Sequence, residues 1–489
     1  MNELRRELIF TPKVHHRLRT HLLSRAPEEE AAVLLAGASR TEHTVRLYVR
    51  EIHPVPVDGF AHRGSLTLSV DPTWYAPLLK RCRDEGWSFV LAHSHPFGAD
   101  AAFSGIDDAG EQALMPRLFQ RAPDRPHGAL VMGTQRASAR IWLPGERAGI
   151  SCGELLVRGN RLESIRSGWR GDEDNGERTA RQVLALGEMG QRQLRRTRFA
   201  IIGVGGLGGQ IYQQLKHLGA RAVTLIDPDR IATSNLSRLV YARPADVGRP
   251  KVEVARERGL EILAESDDVA VIGDVATERS ARAAIDSDVL IVATDNLRSR
   301  LIASRISTQY LIPLIDAGID IDASEGRIRA IGGRVTRTTP ESGGLCCVGI
   351  LDPVRLAQEI MPAPYVQGAA VPAPSVISLN GVVASLAVTE LLDYVTGFSD
   401  LKHALPRSLV YDGRRGIVRS VAEAVRPCGV CGLVRGAGDV QALPVSADTA
   451  LGTEEASAGR VGTDELKVTE PLQGHARSLA WPVQRRIPT

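Results

Sequence analysis

Two histidines stand one residue apart at the end of an apolar run in LAHSHPFGADAAFSGIDD, residues 91–108. Residues i and i+2 of a β-strand point to the same face, so His93 and His95 are predicted to present their imidazoles side by side. Asp107, after the SGID turn, offers a third donor. Three protein ligands and one position left for water are typical of a catalytic zinc, which lowers the pKa of that water to about 7.

A hydrolytic zinc site also needs a base that takes the proton of the water and a donor that stabilises the oxyanion. Glu30, in the upstream segment PEEEAAVLLAG, is predicted to be the base. Ser104, in the SGID turn, is predicted to support the oxyanion. The pattern therefore indicates hydrolysis of an acyl bond.

HSHP, SGID and PEEEAAVLLAG together resemble the JAMM (MPN+, JAB) metallopeptidases. Glu30 lies seven residues before Gly37, as the catalytic glutamate of that family does. The resemblance implies cleavage of peptide or isopeptide bonds at the C-terminus of ubiquitin or ubiquitin-like proteins. That family usually has ten residues between the second histidine and the aspartate, whereas this chain has eleven. Asp100 and Asp108 therefore stay open as alternatives to Asp107.

A glycine turn, GVGGLG at 203–208, follows a buried strand-like run and opens a helix-forming segment. Backbone N–H groups and a helix N-terminus in this arrangement hold phosphate. Asp227 closes the next strand, where a ribose-binding acid is expected. On these residues alone the default interpretation is an NAD or FAD site. The predicted phosphate-binding glycines are Gly203, Gly205, Gly206 and Gly208.

Polar residues after this turn fall in three motifs, LIDPDRIATSNLSR, DVGRPKVE and IVATDNLRSR. Hydride transfer has no evident use for an arginine, a lysine and an acid that converge on phosphates. Nucleotidyl transfer does, because charge builds on the triphosphate and must be neutralised by cations and Mg²⁺. The candidate nucleotide-binding residues are Asp227, Asp229, Asn235, Arg238, Lys251, Asp295 and Asn296.

From about 177 to 432 these motifs resemble the ThiF/MoeB/HesA family, the adenylating domain of ubiquitin-activating enzymes. The resemblance implies that Asp295 contacts Mg²⁺ and that Arg238 and Lys251 bind the phosphates of ATP. It also implies a homodimer through this domain, in which Arg181 of ERTARQ reaches the ATP of the other subunit.

The six cysteines are few for the chain length and partly clustered, which favours a metal site over a disulfide framework. CGVC at 428–431 resembles half of a paired CxxC zinc site of that family. GGLCCVG lacks the CxxC spacing of the other half and has Gly344 at the first ligand position, so an incomplete site is an open alternative. Cys346 is also the candidate acceptor of a thioester. The candidate zinc ligands are Cys346, Cys347, Cys428 and Cys431.

The chain divides into four parts by composition and patterning. Residues 1–145 alternate strand-like runs with two helical stretches, which predicts an α/β domain, and the JAMM resemblance implies that this domain is of the MPN type. Residues 177–433 alternate strands with helices, which predicts a doubly wound, Rossmann-like, mostly parallel sheet. A linker is expected over 146–176, and a disordered, low-complexity tail over 434–489.

Lysine and arginine total 60 against 57 aspartates and glutamates, a formal charge of +3. This balance argues against nucleic acid or an anionic membrane as the main partner. No run reaches the roughly 20 apolar residues that span a bilayer. The sequence therefore predicts a cytoplasmic protein.

The sequence predicts a bifunctional enzyme that uses Zn²⁺, ATP and Mg²⁺. The JAMM-like domain would trim a ubiquitin-like or sulfur-carrier precursor to a terminal glycine, or remove the modifier from a conjugate. The adenylating domain would convert that carboxylate to an acyl-adenylate. The partners would be this small protein and a conjugating enzyme, in prokaryotic ubiquitin-like conjugation, phage defence or sulfur-carrier metabolism. Two alternatives stay open: an NAD- or FAD-dependent oxidoreductase with an unrelated N-terminal domain, and a non-catalytic nucleotide-binding assembly module.

Overall fold

A computed structural model describes residues 4–64, 67–167, 176–324, 326–360, 374–399, 406–443 and 445. The helices are α1 Pro12–Leu22, α2 Pro72–Glu85, α3 Gly105–Arg121, α4 Ala180–Arg196, α5 Gly206–Leu218, α6 Lys251–Ile262, α7 Glu278–Ile285, α8 Leu297–Gln309, α9 Pro353–Ile360, α10 Ile377–Thr396 and α11 Gly429–Val434. Among these described helices, none combines the length and the apolar character needed to cross a bilayer.

Two large sheets and one hairpin contain the strands. The first eleven strands are β1 Arg5–Phe10, β2 Ala31–Arg40, β3 Thr44–Pro54, β4 Phe60–Arg63, β5 Leu68–Val70, β6 Ser88–Ser94, β7 His127–Met132, β8 Ala137–Trp142, β9 Ile150–Ser151, β10 Glu154–Arg158 and β11 Leu162–Ser164. The others are β12 Arg198–Ile202, β13 Ala222–Asp227, β14 Val269–Ile272, β15 Val289–Val292, β16 Leu314–Ser324, β17 Arg327–Thr338, β18 Arg407–Asp412 and β19 Ile417–Ala422.

The N-terminal sheet has the order β11-β10-β1-β3-β2-β6-β7-β8-β9. Its strand β2 reads AAVLLAGASR and is buried on both faces, which its nearly continuous apolar run requires. Leu34 lies in the cluster that includes α1, whereas Val33 and Leu35 lie in the cluster that includes α2 and α3. This alternation places helices on both faces and confirms the predicted α/β fold.

Residues expected to form a linker extend this sheet. Within 146–176, the run ELLVR forms β10 and pairs in parallel with β1, and β11 pairs with β10. The run is short, but its apolar side chains are buried on both faces, so it pairs as a strand rather than as a loop. Residues 168–175 lie outside the described part of the chain. So do residues 446–489, on which most of the predicted disordered tail falls.

The second sheet has the order β14-β13-β12-β15-β16-β17-β18-β19. Its pairs from β14 to β16 are parallel, and those from β16 to β19 are antiparallel. The central strand β12 is followed in sequence by β13 on one side, while β15 lies on its other side. A crevice therefore opens beyond the carboxyl ends of β12 and β15, where doubly wound sheets bind their ligands. The predicted doubly wound domain is confirmed.

The two sheet domains share one hydrophobic core. Ile9 and Leu156 of the N-terminal sheet belong to the same buried cluster as Phe199 and Tyr310 of the second domain. Tyr48 meets Tyr310 edge to face, with ring centroids 5.8 Å apart. Such a contact resembles a domain core rather than a transient interface.

A buried network of charges crosses the same boundary. The Asp288 carboxylate accepts hydrogen bonds from Arg158 at 2.7 Å, Arg198 at 3.0 Å and Arg46 at 3.2 Å. Glu7 accepts from Arg46 at 2.7 Å and from Arg198 at 2.5 Å. Burial alone would raise the pKa of Asp288, but the three arginines hold it well below its usual range. Both acids therefore stay ionised in the interior.

The segment after α11 continues this boundary, although it was expected to begin the disordered tail. The Asp439 N–H donates to the carbonyl of Ala38 at 2.6 Å, and its carboxylate accepts from Tyr310 at 2.8 Å. A Cβ at Gly37 would overlap the backbone of Gly436 and the next residue, so β2 needs a glycine here for this close approach. Contacts with both domains order this segment.

Asp288→Asn is expected to lower the free energy of unfolding by about 3–5 kcal/mol, because it leaves buried arginines without their counter-charge. Chemical denaturation at pH 7 measures the change. Glu265→Gln is the matched control: its side chain is 80% exposed and pairs with Arg221, so we expect a change of about 0.5 kcal/mol or less.

The difference in the free energy of unfolding between the parent and Asp288→Asn should also depend on pH. The folded pKa of Asp288 is lowered, so its stabilisation is present above its unfolded pKa of about 3.9 and is lost as the pH falls toward the folded value. The gap between parent and Asp288→Asn should therefore narrow below about pH 4. Equal stabilities at pH 7 would show that the network does not hold the domains together.

Candidate active sites

Three predicted ligands converge at the end of β6. His93 and His95 lie on the same face, with their Nε2 atoms 3.2 Å apart. The carboxylate of Asp107 lies 2.9 Å from His93 Nε2 and 3.5 Å from His95 Nε2. A tetrahedral zinc with ligands at about 2.0–2.1 Å needs its donors about 3.3–3.4 Å from one another. The three side chains therefore fit a zinc ion and leave its fourth position to water.

The start of α3 fixes the aspartate ligand. Ser104 is the N-cap of α3, and its hydroxyl accepts from the Asp107 N–H at 3.3 Å and donates to the Asp107 carboxylate at 2.7 Å. Burial would raise the pKa of Asp107, but His93 and Ser104 hold it well below its usual range. Ser104 was predicted as an oxyanion donor. The structure instead directs its hydroxyl proton to the ligand, so it orients Asp107.

The two alternative ligands lie elsewhere. Asp100 is exposed and lies 3.7 Å from Arg136, and Asp108 pairs with Arg140 at 2.5 Å. The one-residue-longer loop is held against the β7–β8 turn, where the N–H of Arg136 donates to a loop carbonyl at 2.9 Å. The extra residue is therefore accommodated in the loop, and Asp107 keeps the ligand position.

The predicted base, Glu30, is on the wrong face of the sheet. In the antiparallel pairing of β2 with β6, Ala31 lies opposite His93; the Glu30 carbonyl accepts from the Ser94 N–H at 3.0 Å, and the Glu30 N–H donates to the Ser94 hydroxyl at 2.9 Å. The Glu30 carboxylate pairs with Arg63 at 2.6 Å. Side chains alternate along a strand, so this residue points away from both histidines.

Its neighbour Glu29 occupies the position beside the ligands. The Glu29 carboxylate lies 3.8 Å from His95 Nε2, its side chain is 5% exposed, and burial raises its pKa. A count back from Gly37 did not identify it, because the face is set by the pairing of β2 with β6, which puts Ala31, and so Glu29 two residues before it, on the face of His93. Glu28, Glu29 and Glu30 are adjacent in the sequence, so residue type alone could not identify the one beside the ligands.

The glycine turn forms the floor of the second site. Gly203 has φ 90°, and a Cβ there would lie 2.9 Å from the carbonyl of Ala293, so only glycine lets the β12–α5 and β15–α8 turns touch. A Cβ at Gly206 would lie 3.2 Å from the side chain of Arg238. The aliphatic part of Arg238 therefore packs beside the N-terminus of α5, the part of such a turn that binds phosphate.

Acids and a lysine surround this turn. Asp227 accepts from the N–H of Val204 at 2.7 Å and of Asp229 at 2.9 Å. Burial raises the pKa of Asp227, against the nearby charge of Lys251. Lys251 Nζ lies 2.6 Å from Asp229 and 3.9 Å from Asp227. The predicted lysine is therefore at the carboxyl edge of the sheet, beside Asp227.

The remaining predicted nucleotide-binding residues differ in whether their side chains already make hydrogen bonds within the protein. Asp295 is exposed and makes no hydrogen bond or ion pair within the described ranges. Asn296 caps α8 by accepting from the Ser299 N–H at 2.7 Å, and Asn235 accepts from the Ala232 N–H at 3.1 Å. The two asparagines shape their loops, whereas the Asp295 carboxylate is available to a cation.

Asn380 was not predicted, although it lies at the same site. It is 1% exposed, its Oδ1 has no hydrogen-bond partner among the described residues, and its amide nitrogen would overlap a Cβ at Gly206. A buried acceptor without a partner beside the phosphate turn suits contact with a ligand. The signal in the sequence is one asparagine within the apolar helix α10.

Three of the four predicted cysteine ligands form a cluster. The Sγ atoms of Cys347 and Cys428 lie 3.6 Å apart, and that of Cys431 completes a group within 4.8 Å. Zinc with Zn–S of about 2.3 Å needs sulfurs about 3.8 Å apart, so the cluster fits three vertices. Cys346 is exposed and outside it. A Cβ at Gly344 would lie 3.5 Å from Cys431 Sγ, so this glycine borders the cluster but supplies no ligand atom to it.

Comparison with protein families now connects both sites with known folds. The model described as "ThiF family" matches residues 179–431, more than half of the chain. The chain belongs to the ThiF family. The model of prokaryotic homologs of the JAB domain matches residues 11–144. The cluster of His93, His95 and Asp107 lies within the residues that the JAB model matches, and the glycine turn lies within those that the ThiF model matches.

Curated relatives share the ThiF domain. The chain is 29% identical over 248 residues to the molybdopterin-synthase adenylyltransferase of Escherichia coli, covering 50% of this chain and 90% of that one. It is 25% identical over 237 residues to ubiquitin-like modifier-activating enzyme 5 of Caenorhabditis briggsae, covering 45% and 52%. It is 31% identical over 142 residues to the sulfur carrier protein ThiS adenylyltransferase of Bacillus subtilis, covering 28% and 42%. The chain thus spans about half, or less, of the last two relatives.

Asp107→Asn is expected to weaken zinc binding by the JAB domain at least tenfold, because it removes an anionic ligand and the partner of Ser104. Competition with a chromophoric zinc chelator measures the affinity. Asp100→Asn is the matched control from the same loop and should bind zinc as the parent does. Equal loss in both variants would place the ligand elsewhere.

Proposed function

We propose that this chain is a bifunctional enzyme that prepares the C-terminus of a small modifier protein. The JAB domain hydrolyses the bond that follows a glycine and so makes this glycine the C-terminus of the modifier. The ThiF domain then adenylates the carboxylate of the same glycine with ATP. The observation that carries the proposal is the convergence of His93, His95, Asp107 and Glu29 at one strand end, on the same chain as a ThiF nucleotide site. The two chemistries act on the same carboxyl group.

In the hydrolytic step, His93, His95 and Asp107 would hold zinc. Bound zinc supplies an acidified water and polarises the scissile carbonyl. Glu29 takes a proton from the water, the water oxygen forms a bond to the carbonyl carbon, and the C–N bond breaks. Glu29 then delivers the proton to the departing amine nitrogen. The raised pKa of this buried carboxylate suits a group that both accepts and returns a proton.

In the adenylation step, a glycine carboxylate oxygen attacks the α-phosphorus of ATP and pyrophosphate leaves. The N-terminus of α5 and the cations Arg238 and Lys251 neutralise the phosphates as charge builds. Lys251 is held near the turn by Asp229. The exposed Asp295 carboxylate would hold Mg²⁺, a cation that prefers carboxylate oxygens.

A homodimer would complete this site. Arg181 lies on the exposed face of α4 and makes no ion pair within the described ranges, and Leu184, one turn further, is 89% exposed. An apolar side chain so exposed beside an unpaired arginine is typical of an interaction surface. We propose that α4 packs against a second copy and that Arg181 reaches the partner's ATP.

The modifier is proposed to be a ubiquitin-like or sulfur-carrier protein ending in glycine. The names of the relatives, a ubiquitin-like modifier-activating enzyme and a sulfur carrier protein adenylyltransferase, support both classes. A conjugating enzyme belongs to the first class alone. Cys347, Cys428 and Cys431 are proposed to hold a structural zinc, and Cys346 stays outside that site as the candidate thioester acceptor.

Glu29→Gln is expected to reduce cleavage of a C-terminally extended modifier by at least a thousandfold, because an amide cannot take the proton of the water. Glu30→Gln should retain cleavage within about tenfold, since this side chain lies on the other face and pairs with Arg63. Mass spectrometry of the modifier measures the product. A larger loss of cleavage in Glu30→Gln than in Glu29→Gln would assign the base to Glu30. Cleavage that a chelator does not reduce, in the parent and in both variants, would reject zinc hydrolysis.

Asp295→Ala is expected to abolish ATP–pyrophosphate exchange supported by a modifier that ends in glycine, because Mg²⁺ on the phosphates loses its protein ligand. Asp267→Ala, another exposed aspartate of the ThiF domain, is the control and should retain exchange. Exchange that survives Asp295→Ala would contradict this role. Tight NADH binding without ATP binding would favour an oxidoreductase.

A further inference from the structure

A small apolar cavity opens directly beside the metal ligands of the JAB domain. Its volume is about 90 Å³, and His93, Asp107 and Glu29 form part of its wall. The rest of the wall comes from β5, β6, β7, α3 and the loop before α3. The apolar lining residues are Leu68, Leu91, Phe103, Ile106, Leu114 and Met115.

The cavity has a closed inner end and an open rim. Met115 is 0% exposed and Ala129 5% exposed, so its inner end lies in the domain core. Ile106, next to the ligand Asp107, is 56% exposed and lies at the rim. A group that enters past this rim therefore passes the reacting atoms before it reaches the core.

Its walls are held in place. The guanidinium of Arg140 stacks over Phe103, 4.2 Å from the ring centroid, and pairs with Glu111 at 3.1 Å. Glu111 also accepts from Trp142 Nε1 at 2.7 Å. These contacts satisfy the one acid at the inner end and keep the aromatic wall from collapsing inward. The space left is lined mainly by apolar side chains.

The volume limits what can enter. An apolar cavity of about 150 Å³ holds a benzene ring, so 90 Å³ suits a chain of three or four carbon atoms and excludes an aromatic side chain. Burial of such a chain is favourable by about 0.8 kcal/mol per methylene group. A negatively charged side chain would lose its hydration there and face the carboxylates of Glu29 and Glu111 in the wall.

We propose that this cavity binds a short aliphatic group on the amine side of the scissile bond. The inference rests on the proposed function: the residue that keeps the carboxyl group is glycine, which has no side chain, so only the leaving side can fill the cavity. This group is the side chain of a valine or leucine that begins a linear C-terminal extension. The four-methylene stem of a conjugated lysine does not suit the cavity, because its far end carries the substrate's main chain and the inner end of the cavity is closed.

The test uses the full chain with modifiers whose extension begins with leucine, glycine, phenylalanine or aspartate, and with an isopeptide-linked lysine peptide. Cleavage gives kcat/KM, and fluorescence anisotropy with the Glu29→Gln chain gives Kd without turnover. We expect leucine to exceed phenylalanine and aspartate about tenfold or more in kcat/KM, with the same order in Kd. The lysine peptide should fall below the leucine extension in kcat/KM, and the reverse order would overturn the cavity assignment.

Two variants change the cavity in opposite directions. Leu114→Ala enlarges it and should raise kcat/KM for phenylalanine relative to leucine at least tenfold. Gly110→Leu should weaken binding of the leucine extension, because a Cβ at this exposed helical position meets nothing within 4 Å and a longer side chain can cover the opening. Leu78→Ala, a partly buried leucine outside the cavity, is the control and should keep the parent's order.

The outcomes distinguish a failure of the cavity assignment from a failure of the proposed peptidase function. Equal kcat/KM and Kd for all four extensions, with chelator-sensitive cleavage, would overturn the cavity assignment and leave the peptidase intact. The leucine order in Kd with no cleavage of any substrate would support the cavity and reject the peptidase. An unchanged order in Leu114→Ala, with the protein folded by circular dichroism, would also overturn the assignment.

Discussion

The rest of the structure depends on the ion pairs that the buried carboxylate of Asp288 makes with arginines of both sheets. In the interior, neither the carboxylate nor the arginines could stay charged without the other. The network therefore exists only when the two domains meet in one arrangement. The shared apolar core around Tyr48 and Tyr310 adds the nondirectional part of the same contact. A charge network of this kind fixes orientation more than it adds free energy.

Both candidate sites depend on the strand order on either side of that boundary. In the JAB domain, β2 pairs with β6, so the face that holds the histidines also receives Glu29. In the ThiF domain, the reversal of strand order about β12 opens a crevice beside the glycine turn. Rigid strands hold the reacting side chains in register, and a shift of one residue would turn each of them to the other face.

The chemistry of the sites was predictable from the sequence where spacing alone decides it. The alternation that places His93 and His95 together is local, as is the strand–turn–helix at Gly203. Three findings depend on tertiary pairing instead. The pairing of β2 with β6 turned Glu29 rather than Glu30 to the histidines, the contact between α10 and α5 brought Asn380 to the phosphate turn, and pairing with β1 made a strand of a predicted linker. Ser104 was placed correctly, but its hydroxyl orients the ligand.

The central claim is that one chain exposes a glycine carboxylate and then activates it. ATP–pyrophosphate exchange with two forms of the same modifier, one ending in glycine and one carrying an extension, tests this most directly. The parent chain should support exchange with both forms, and the Glu29→Gln chain only with the form that ends in glycine. Exchange by the Glu29→Gln chain with the extended form, or a parent chain silent with both, would contradict it.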